Sequence, residues 1–241
     1  MNTPVKNQHL VYDAFLSEQL EKEAYRLIVD QHFDEELAEV VADLQGNEVF
    51  LYGKIADTDS DAMEILTRLR FKMVDTLVTL EKDILMEESF MYQDDIRLAV
   101  PEDEAAVVAI ARNNFEYSRF HADDNIAKEQ ADRIKGEWVR NYFKDLRGDA
   151  MVLGEVNGQV AGFVQLIVDR DTLVIDLIAV DQTARKRKLA TQMINYAQQH
   201  CRQNCVKYRV GTQLLNVPSL NLYQGLGFRI KSKQYVFHSN I

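Results

Sequence analysis

The stretch from Thr172 to Gln199 constrains the fold more than any other part of the sequence. It opens with a nearly continuous apolar run, Thr172 to Val180, which is rich in β-branched residues and too short to span a membrane. Such a run is typical of a central strand buried on both faces. A basic segment, Arg185 to Lys188, follows it. A helix comes next, and its apolar residues repeat every four positions: Leu189, Met193, Ala197 and Cys201. A strand, a basic turn and a helix N-terminus together present backbone N–H groups to an anion, so we expect a phosphate or pyrophosphate here.

The charge of the chain is unevenly distributed along its 241 residues. Residues 1–93 contain 20 acidic and 8 basic side chains, residues 94–241 contain 18 and 20, and the net charge is −10. An acidic protein of this kind is a poor candidate for binding nucleic acid. The less acidic half is the better place for an anionic small molecule.

Cysteine content and hydropathy indicate where the protein works. Cys201 and Cys205 are the only cysteines, and no cluster of metal-ligand residue types accompanies them, so we expect packing residues and no metal. Met1 to His9 is polar, and no apolar run approaches the length of a transmembrane helix. We therefore expect no secretory signal, no membrane span and a cytoplasmic location.

The order of predicted elements divides the chain into two parts. Residues 1–93 are predicted to form a smaller α/β lobe, β-α-β-α-β, without a cluster of catalytic residue types. Three roles stay open for this lobe: extending a sheet, shaping a substrate cleft or forming a homodimer. Residues 94–241 are predicted to contain a strand, two helices, a hairpin around Asn157-Gly158, the central strand and its helix, and then strand, helix, strand.

That second order of elements resembles the fold of GNAT-superfamily acetyltransferases, a mixed and mostly antiparallel sheet flanked by helices. In those enzymes an Arg/Gln-x-x-Gly-x-Gly/Ala turn holds the pyrophosphate of acetyl-CoA. The corresponding residues here are Arg185, Lys186, Arg187, Lys188, Leu189 and Ala190. The resemblance implies acetyl-CoA as co-substrate, with its pantetheine held by the backbone of Ile178, Ala179 and Val180. Lys188 replaces the glycine that allows close approach of the backbone, and we expect it to keep a helical first-turn conformation and still donate its N–H.

The segment from Asn216 to Phe228 carries the most specific resemblance. GNAT enzymes commonly have an Asn, a Tyr seven residues later and a Leu-Gly-Phe end, as this sequence does. The resemblance implies that Asn216 contacts pantetheine or stabilises the local turn, and that Tyr223 protonates the departing thiolate. A phenol with an ordinary pKa of about 10 can donate that proton. A tyrosine packed in the core is the alternative.

Asp176 is the one charged residue in the predicted central strand. Burying a carboxylate is costly unless it is bonded, so Asp176 is expected either to be hydrogen-bonded within the structure or to be functional. Many GNAT enzymes place a carboxylate on this strand to deprotonate the amine. The pattern leaves the direction of the side chain open.

A narrower resemblance lies in Tyr117 to Asp123 and in Trp138 to Asn141. These segments are similar to ones in sugar N-acetyltransferases, in particular the dTDP-4-amino-4,6-dideoxygalactose (dTDP-fucosamine) N-acetyltransferases, which also carry an N-terminal α/β lobe. The resemblance implies an acceptor pocket with these residues: Arg119, Phe120, His121, Asp123, Trp138 and Asn141. Arginine can form two parallel hydrogen bonds to a phosphate. An Arg119–Asp123 pair that only fixes the loop, a surface His121 and a core Trp138 are the alternatives.

Taken together, these features predict an N-acetyltransferase that uses acetyl-CoA and acts in a ternary complex. The acceptor would be the amine of a nucleotide-linked amino sugar used in surface polysaccharide assembly. One alternative is a GNAT enzyme acting on a protein N-terminus, a polyamine or an antibiotic. The other is a non-catalytic binding protein that keeps the fold.

Overall fold

The computed structural model describes residues 9–28, 35–44, 46–85 and 95–241. The expectation of no secretory signal concerns mainly residues 1–8, which lie outside the described residues. The predicted boundary between residues 93 and 94 also lies outside them.

The described residues form a single ten-stranded sheet with helices on both faces. The strands are β1 (Leu10–Tyr12), β2 (Glu23–Leu27), β3 (Val49–Ala56), β4 (Lys72–Asp83), β5 (Ile96–Leu98), β6 (Ala150–Val156), β7 (Gln159–Asp169), β8 (Thr172–Val180), β9 (Lys207–Gln213) and β10 (Arg229–Asn240). The helices are α1 (Ala14–Leu20), α2 (Glu35–Asp43), α3 (Ser60–Arg68), α4 (Glu104–Asn114), α5 (Lys128–Phe143), α6 (Leu189–His200) and α7 (Val217–Gly225).

The strand order across the sheet is β1-β2-β3-β10-β4-β9-β8-β7-β6-β5. The pairs β2–β3 and β8–β9 are parallel, and the other seven described pairs are antiparallel. A mixed, mostly antiparallel sheet with flanking helices confirms the predicted fold class.

Strands from the two predicted parts of the chain interleave in the middle of the sheet. β4 lies between β9 and β10, and β10 pairs on its other side with β3. Residues before position 93 therefore continue the sheet beyond β9.

Alternating residues along each strand face different helices, as the pleat of a strand requires. Phe163 of β7 belongs to an apolar cluster with α4 and α5, whereas the adjacent Val164 belongs to a cluster with α6 and α7. The apolar stripe predicted for α6 is buried in that second cluster. Toward the other edge of the sheet, α2 and α3 cover one face, while α1 and part of α5 cover the other.

The prediction that β8 is buried on both faces is wrong in part. Every second residue, Val174, Asp176, Ile178 and Val180, is only partly buried. The reason is that all four line a cavity, which opens where parallel pairing with β9 ends, at Ile175 opposite Val210. Beyond that point the two strands diverge, and one edge of β8 is open.

Candidate active site

A cavity of about 910 Å³ lies where β8 and β9 diverge. Residues of α6 and α7 line it from one face of the sheet, and residues of α5 and of the loop before it line it from the other. The gap between the two strands therefore connects the two faces of the sheet within one cavity.

Most of the predicted site residues line this cavity: Arg119, Phe120, Trp138, Asp176, Ile178, Ala179, Val180, Arg185, Lys186, Lys188, Leu189, Ala190, Asn216 and Tyr223. The lining does not include Arg187, His121, Asp123 or Asn141. The structure thus brings together predicted residues of the cofactor half and of the acceptor half.

The turn before α6 has a conformation that differs from our expectation. Lys188 is the N-cap of α6 and has φ 60° and ψ 16°, which is left-handed and not the helical first-turn geometry that we expected. Lys186 is also left-handed, with φ 66°. Glycine adopts this region at no steric cost, which explains why a glycine suits the position of Lys188. The backbone at Lys188 therefore has the conformation that a glycine would adopt there, despite the lysine.

The open edge of β8 runs along the cavity toward this turn. Ile178 and Ala179 pair with Val164 and Phe163 of β7, and the β9 side of this segment has no strand partner among the described residues. An unpaired strand edge can bind an extended chain by backbone hydrogen bonds. The edge and the turn together fit the pantetheine and pyrophosphate of acetyl-CoA.

Tyr223 lies on α7, with 2% of its surface exposed, and lines the cavity. Its ring packs against Phe228, with 5.8 Å between the ring centroids. Burial raises the pKa of Tyr223 above its ordinary value, so the phenol carries its proton at neutral pH. Asn216 caps α7 by accepting a hydrogen bond from the backbone N–H of Ser219 at 3.3 Å. Of the two roles predicted for Asn216, this is the stabilisation of the local turn.

Asp176 points toward the face of the sheet that carries α5. The register of β7 and β8 shifts at this residue, and such a β-bulge re-aims a side chain. Arg147 donates to both carboxylate oxygens, from Nε to Oδ2 at 2.7 Å and from Nη2 to Oδ1 at 2.6 Å. Gln165 donates to Oδ2 at 3.1 Å. The carboxylate is therefore hydrogen-bonded within the structure, one of the two outcomes that we expected.

Arg119 does not pair with Asp123, so that alternative is wrong. Its guanidinium carbon lies 4.0 Å from the ring centroid of Tyr52 and 4.5 Å from that of Phe120. Trp138 also lines the cavity and packs edge-on against Phe120, with centroids 6.5 Å apart. The aromatic rings fix the direction of the guanidinium beside the cavity.

Asp123 instead pairs with His238 of β10, and neither residue lines the cavity. His238 Nδ1 and Asp123 Oδ2 are 2.8 Å apart, and each residue is 2% exposed. Burial lowers the pKa of His238 to about 4, so the neutral ring donates from Nδ1. Burial alone would raise the pKa of Asp123, but hydrogen bonds from His238 and Asn125 lower it to about 2. The pair anchors the loop to the sheet.

His121 and Asn141 do not line the cavity, and both are held by contacts within the structure. The ring of His121 lies between Ser118 and Asp132, with Nδ1 2.6 Å from Ser118 Oγ and Nε2 2.9 Å from Asp132 Oδ1. The carbonyl of Asn141 accepts the backbone N–H groups of Leu146 and Arg147, just past α5. We therefore place neither residue in the candidate site.

Besides Glu116, four charged residues of the cavity lining were not predicted from the sequence: Lys54, Asp75, Lys135 and Arg147. Lys54 and Asp75 both pair with Val236 of β10, so the three side chains form a row on one face of the sheet. Desolvation, and then Arg119, lowers the pKa of Lys54 to about 8. Burial raises the pKa of Asp75 to about 6.

A sequence signal exists for Lys135 alone among these four. It is a lysine between the buried Ile134 and Val139 on α5, and it is itself 8% exposed. A charge on the apolar face of a helix is a candidate functional residue. Nothing in the local pattern marks the other three. Strand partners far apart in sequence bring Lys54 and Asp75 to the cavity, and Arg147 reaches it from the connection between α5 and β6 through its contact with Asp176.

Among the residues that the structure describes, no group of three or more His, Cys, Asp or Glu side chains is arranged to hold a metal ion. No described helix has both the length and the apolar composition needed to cross a membrane.

Comparisons with known proteins identify a family and relatives that this chain resembles. Residues 88–228 match the acetyltransferase (GNAT) family. A 139-residue segment is 32% identical to the "spore coat polysaccharide biosynthesis protein SpsD" of Bacillus subtilis, covering 57% of this chain and 48% of that protein. The match thus spans about half the length of this curated relative.

Solved structures share the fold at low sequence identity. A conserved protein of unknown function from Staphylococcus epidermidis has a TM-score of 0.64 and 14% identity, over 100% of this chain and 94% of that chain. A GCN5-related N-acetyltransferase from Sphaerobacter thermophilus has a TM-score of 0.63 and 11% identity, over 96% and 75%. Because the family match covers more than half of the sequence, the chain belongs to the acetyltransferase (GNAT) family.

Proposed function

We propose that the protein is an N-acetyltransferase that transfers the acetyl group of acetyl-CoA to the amine of a nucleotide-linked amino sugar. Transfer is direct, with both substrates bound at once. The observation that carries this proposal is the single cavity through the gap between β8 and β9. It joins Tyr223 and the 185–190 turn on one side to Arg119 and Trp138 on the other.

In the cofactor half, the open edge of β8 holds the pantetheine. The backbone from Ile178 to Val180 has no strand partner on its β9 side among the described residues, so its polar groups are available to an extended chain. The left-handed turn at Lys186 and Lys188, together with the N-terminus of α6, binds the pyrophosphate. Bound acetyl-CoA supplies the thioester whose carbonyl carbon accepts the amine.

Tyr223 acts as the general acid for the leaving thiolate. Its raised pKa keeps the phenol protonated at neutral pH, and its place in the cavity lining supports a role close to the leaving thiolate. The proton passes from the phenolic oxygen to the sulfur as the bond between carbon and sulfur breaks.

Asp75, and not Asp176, takes the proton of the amine. Both oxygens of Asp176 already accept hydrogen bonds from Arg147, and Oδ2 accepts another from Gln165, so this carboxylate is engaged within the structure. Among the described residues, no Lys, Arg or His forms an ion pair with Asp75. Its pKa of about 6 suits a base that works near neutral pH.

Both parts of the chain contribute to the acceptor half of the site. Residues 94–241 form the acetyltransferase domain, while residues 1–93 shape the acceptor half through Lys54 and Asp75. The name of the Bacillus subtilis relative, a spore coat polysaccharide biosynthesis protein, supports an acceptor from polysaccharide assembly. We place the enzyme in the cytoplasm, where nucleotide sugars and acetyl-CoA are available.

A panel experiment tests the proposal. Purified protein is incubated with acetyl-CoA and either nucleotide-linked amino sugars, free amino sugars, polyamines or peptides, and products are detected by mass spectrometry. We expect acetylation of a nucleotide-linked amino sugar above all others. Acetylation of a peptide or polyamine only would refute the acceptor class. Acetyl-CoA that binds without transfer to any acceptor would indicate a binding protein.

A further inference from the structure

Three cations line the acceptor half of the cavity without an acidic partner. They are Lys54 of β3, Arg119 of the loop between α4 and α5, and Lys135 of α5. None of them forms an ion pair within 4.0 Å with a described Asp or Glu. Lys135 is buried and Arg119 is partly buried, whereas Lys54 is exposed. A cation removed from water is costly unless an anion compensates it, so Lys135 and Arg119 in particular require an explanation.

Lys135 is the most deeply buried of the three, with 8% of its surface exposed. Its ammonium nitrogen lies 4.9 Å from the ring centroid of Phe115, 5.0 Å from that of Trp138 and 5.9 Å from that of Phe120. These rings hold the ammonium in place but carry no negative charge. Burial, and then the charge of Arg119, lowers the pKa of Lys135 to about 8, so it is still largely protonated at neutral pH.

Arg119 and Lys54 are also fixed beside the cavity. The guanidinium of Arg119 stacks 4.0 Å from the ring of Tyr52, and its Nη1 lies 3.3 Å from Nε2 of His238, which is a neutral ring. Lys54 is two residues after Tyr52 on β3 and faces the same side of the sheet. It is the more exposed of the two lysines, so a ligand can reach it from the cavity.

The negative charge in this half of the cavity is too small to balance the cations. Asp176 is occupied by Arg147, with contacts of 2.6 and 2.7 Å. Glu116 also lines the cavity, and it accepts a hydrogen bond from Gln182, just before the 185–190 turn, at 3.4 Å. Asp75 is the carboxylate that lies beside Arg119 and Lys135 and pairs across Val236 with Lys54. The described residues therefore leave an excess of positive charge facing the acceptor.

We propose that Lys54, Arg119 and Lys135 form an oxyanion subsite that binds a phosphate or carboxylate group of the acceptor. The inference rests on the proposed function, since it takes this part of the cavity as the acceptor half. An arginine with two parallel donors and two lysines suit a group with several oxygens. The oxyanion has two sources, the diphosphate of a nucleotide or a carboxylate on the sugar.

Equilibrium binding distinguishes these sources without requiring turnover. The full chain is saturated with CoA, so that the 185–190 turn is occupied, and then titrated calorimetrically with dTDP or with glucuronate. The variants are Lys135→Met, Arg119→Gln and Lys54→Gln. Lys231→Gln is the matched control, because Lys231 is exposed on β10 and lies outside this cavity.

We expect each of the three variants to weaken dTDP binding by roughly tenfold to a hundredfold, while Lys231→Gln leaves it unchanged. Melting temperatures of the same samples show that the folded state is kept. If Lys135→Met does not fold, Arg119→Gln and Lys54→Gln carry the test.

The outcomes separate the subsite from the proposed function. If the three variants lose affinity for glucuronate alone, the subsite is supported and its ligand is a carboxylate. That result contradicts a nucleotide acceptor. Loss of dTDP affinity in an enzyme that acetylates no amino sugar keeps the subsite and refutes the proposed reaction. The subsite is overturned if wild type binds neither dTDP nor glucuronate. It is also overturned if none of the three substitutions changes the affinity for either ligand.

Discussion

Replacing Lys188 with glycine is expected to stabilise the protein. Lys188 has a Cβ atom in a left-handed conformation, φ 60°, and such a residue costs about 1–2 kcal/mol relative to a right-handed one. Glycine removes this strain, but the greater freedom of the unfolded chain offsets about 0.4–1 kcal/mol of the gain. The expected net increase in the free energy of unfolding is therefore about 0.5–1 kcal/mol.

For a chain of this size, that increase corresponds to a melting temperature about 1–4 °C higher. Differential scanning calorimetry of wild type, Lys188→Gly and Lys188→Ala measures it. Alanine is the matched control, because it removes the ammonium group but keeps the Cβ atom and the strain. The strain argument is refuted if the glycine variant melts no higher than the alanine variant.

The same pair of variants tests how the turn binds CoA. If backbone N–H groups bind the pyrophosphate, Lys188→Gly keeps or increases the affinity for CoA, because glycine adopts this conformation without strain. If both variants lose binding alike, the ammonium group is itself a ligand and the backbone account is wrong.

Three further predictions concern catalysis. Tyr223→Phe should lower turnover by about 10²-fold or more while CoA affinity stays the same; unchanged single-turnover rates would remove the general acid role. Arg185→Glu should weaken CoA binding in calorimetry far more than Arg187→Glu, because Arg185 lines the cavity and Arg187 does not. Equal losses of affinity in the two variants would indicate that only the positive charge of the turn matters, and not the position of Arg185. For wild type, kcat/KM should rise with pH through about 6, as Asp75 loses its proton, and fall again above about 8, as Lys54 and Lys135 lose the charges that bind the acceptor. Arg119, Lys135, Gln213 and the backbone of Thr76 surround Asp75, and Asp75→Asn should abolish this rise and lower the rate by about 10²-fold or more. A rise that survives in Asp75→Asn would assign the base elsewhere.

Local periodicity was sufficient for the parts of the molecule that depend on neighbours in sequence. The stripe through Leu189 and Met193 predicted α6, and a helix was also expected before the last strand, where α7 lies. These elements depend on residues within a few turns of one another, so their patterns can be recognised in a single sequence. The place of Tyr223 in the site was implied by the family resemblance and not by periodicity.

The acceptor half could not be predicted in the same way. Lys54 and Asp75 meet across Val236, which is more than 150 residues away from either, and strand periodicity contains no information about which distant strand lies alongside. Asp123 was expected to face the acceptor, but its partner His238 also comes from β10. In both cases the missing information is the insertion of β4 between β9 and β10.

That strand order also affects how the protein is made. β3 and β4 are synthesised early, but β10, which pairs with both, ends at Asn240, 157 positions after the end of β4 at Asp83. At about 5–20 residues per second, the ribosome takes roughly 8–30 s to produce that length. During this interval the edges of both strands have no β10 to pair with, and unpaired edges favour association with other chains. We therefore expect the nascent chain to depend on chaperones, and a circular permutant that starts with β10 to need them less.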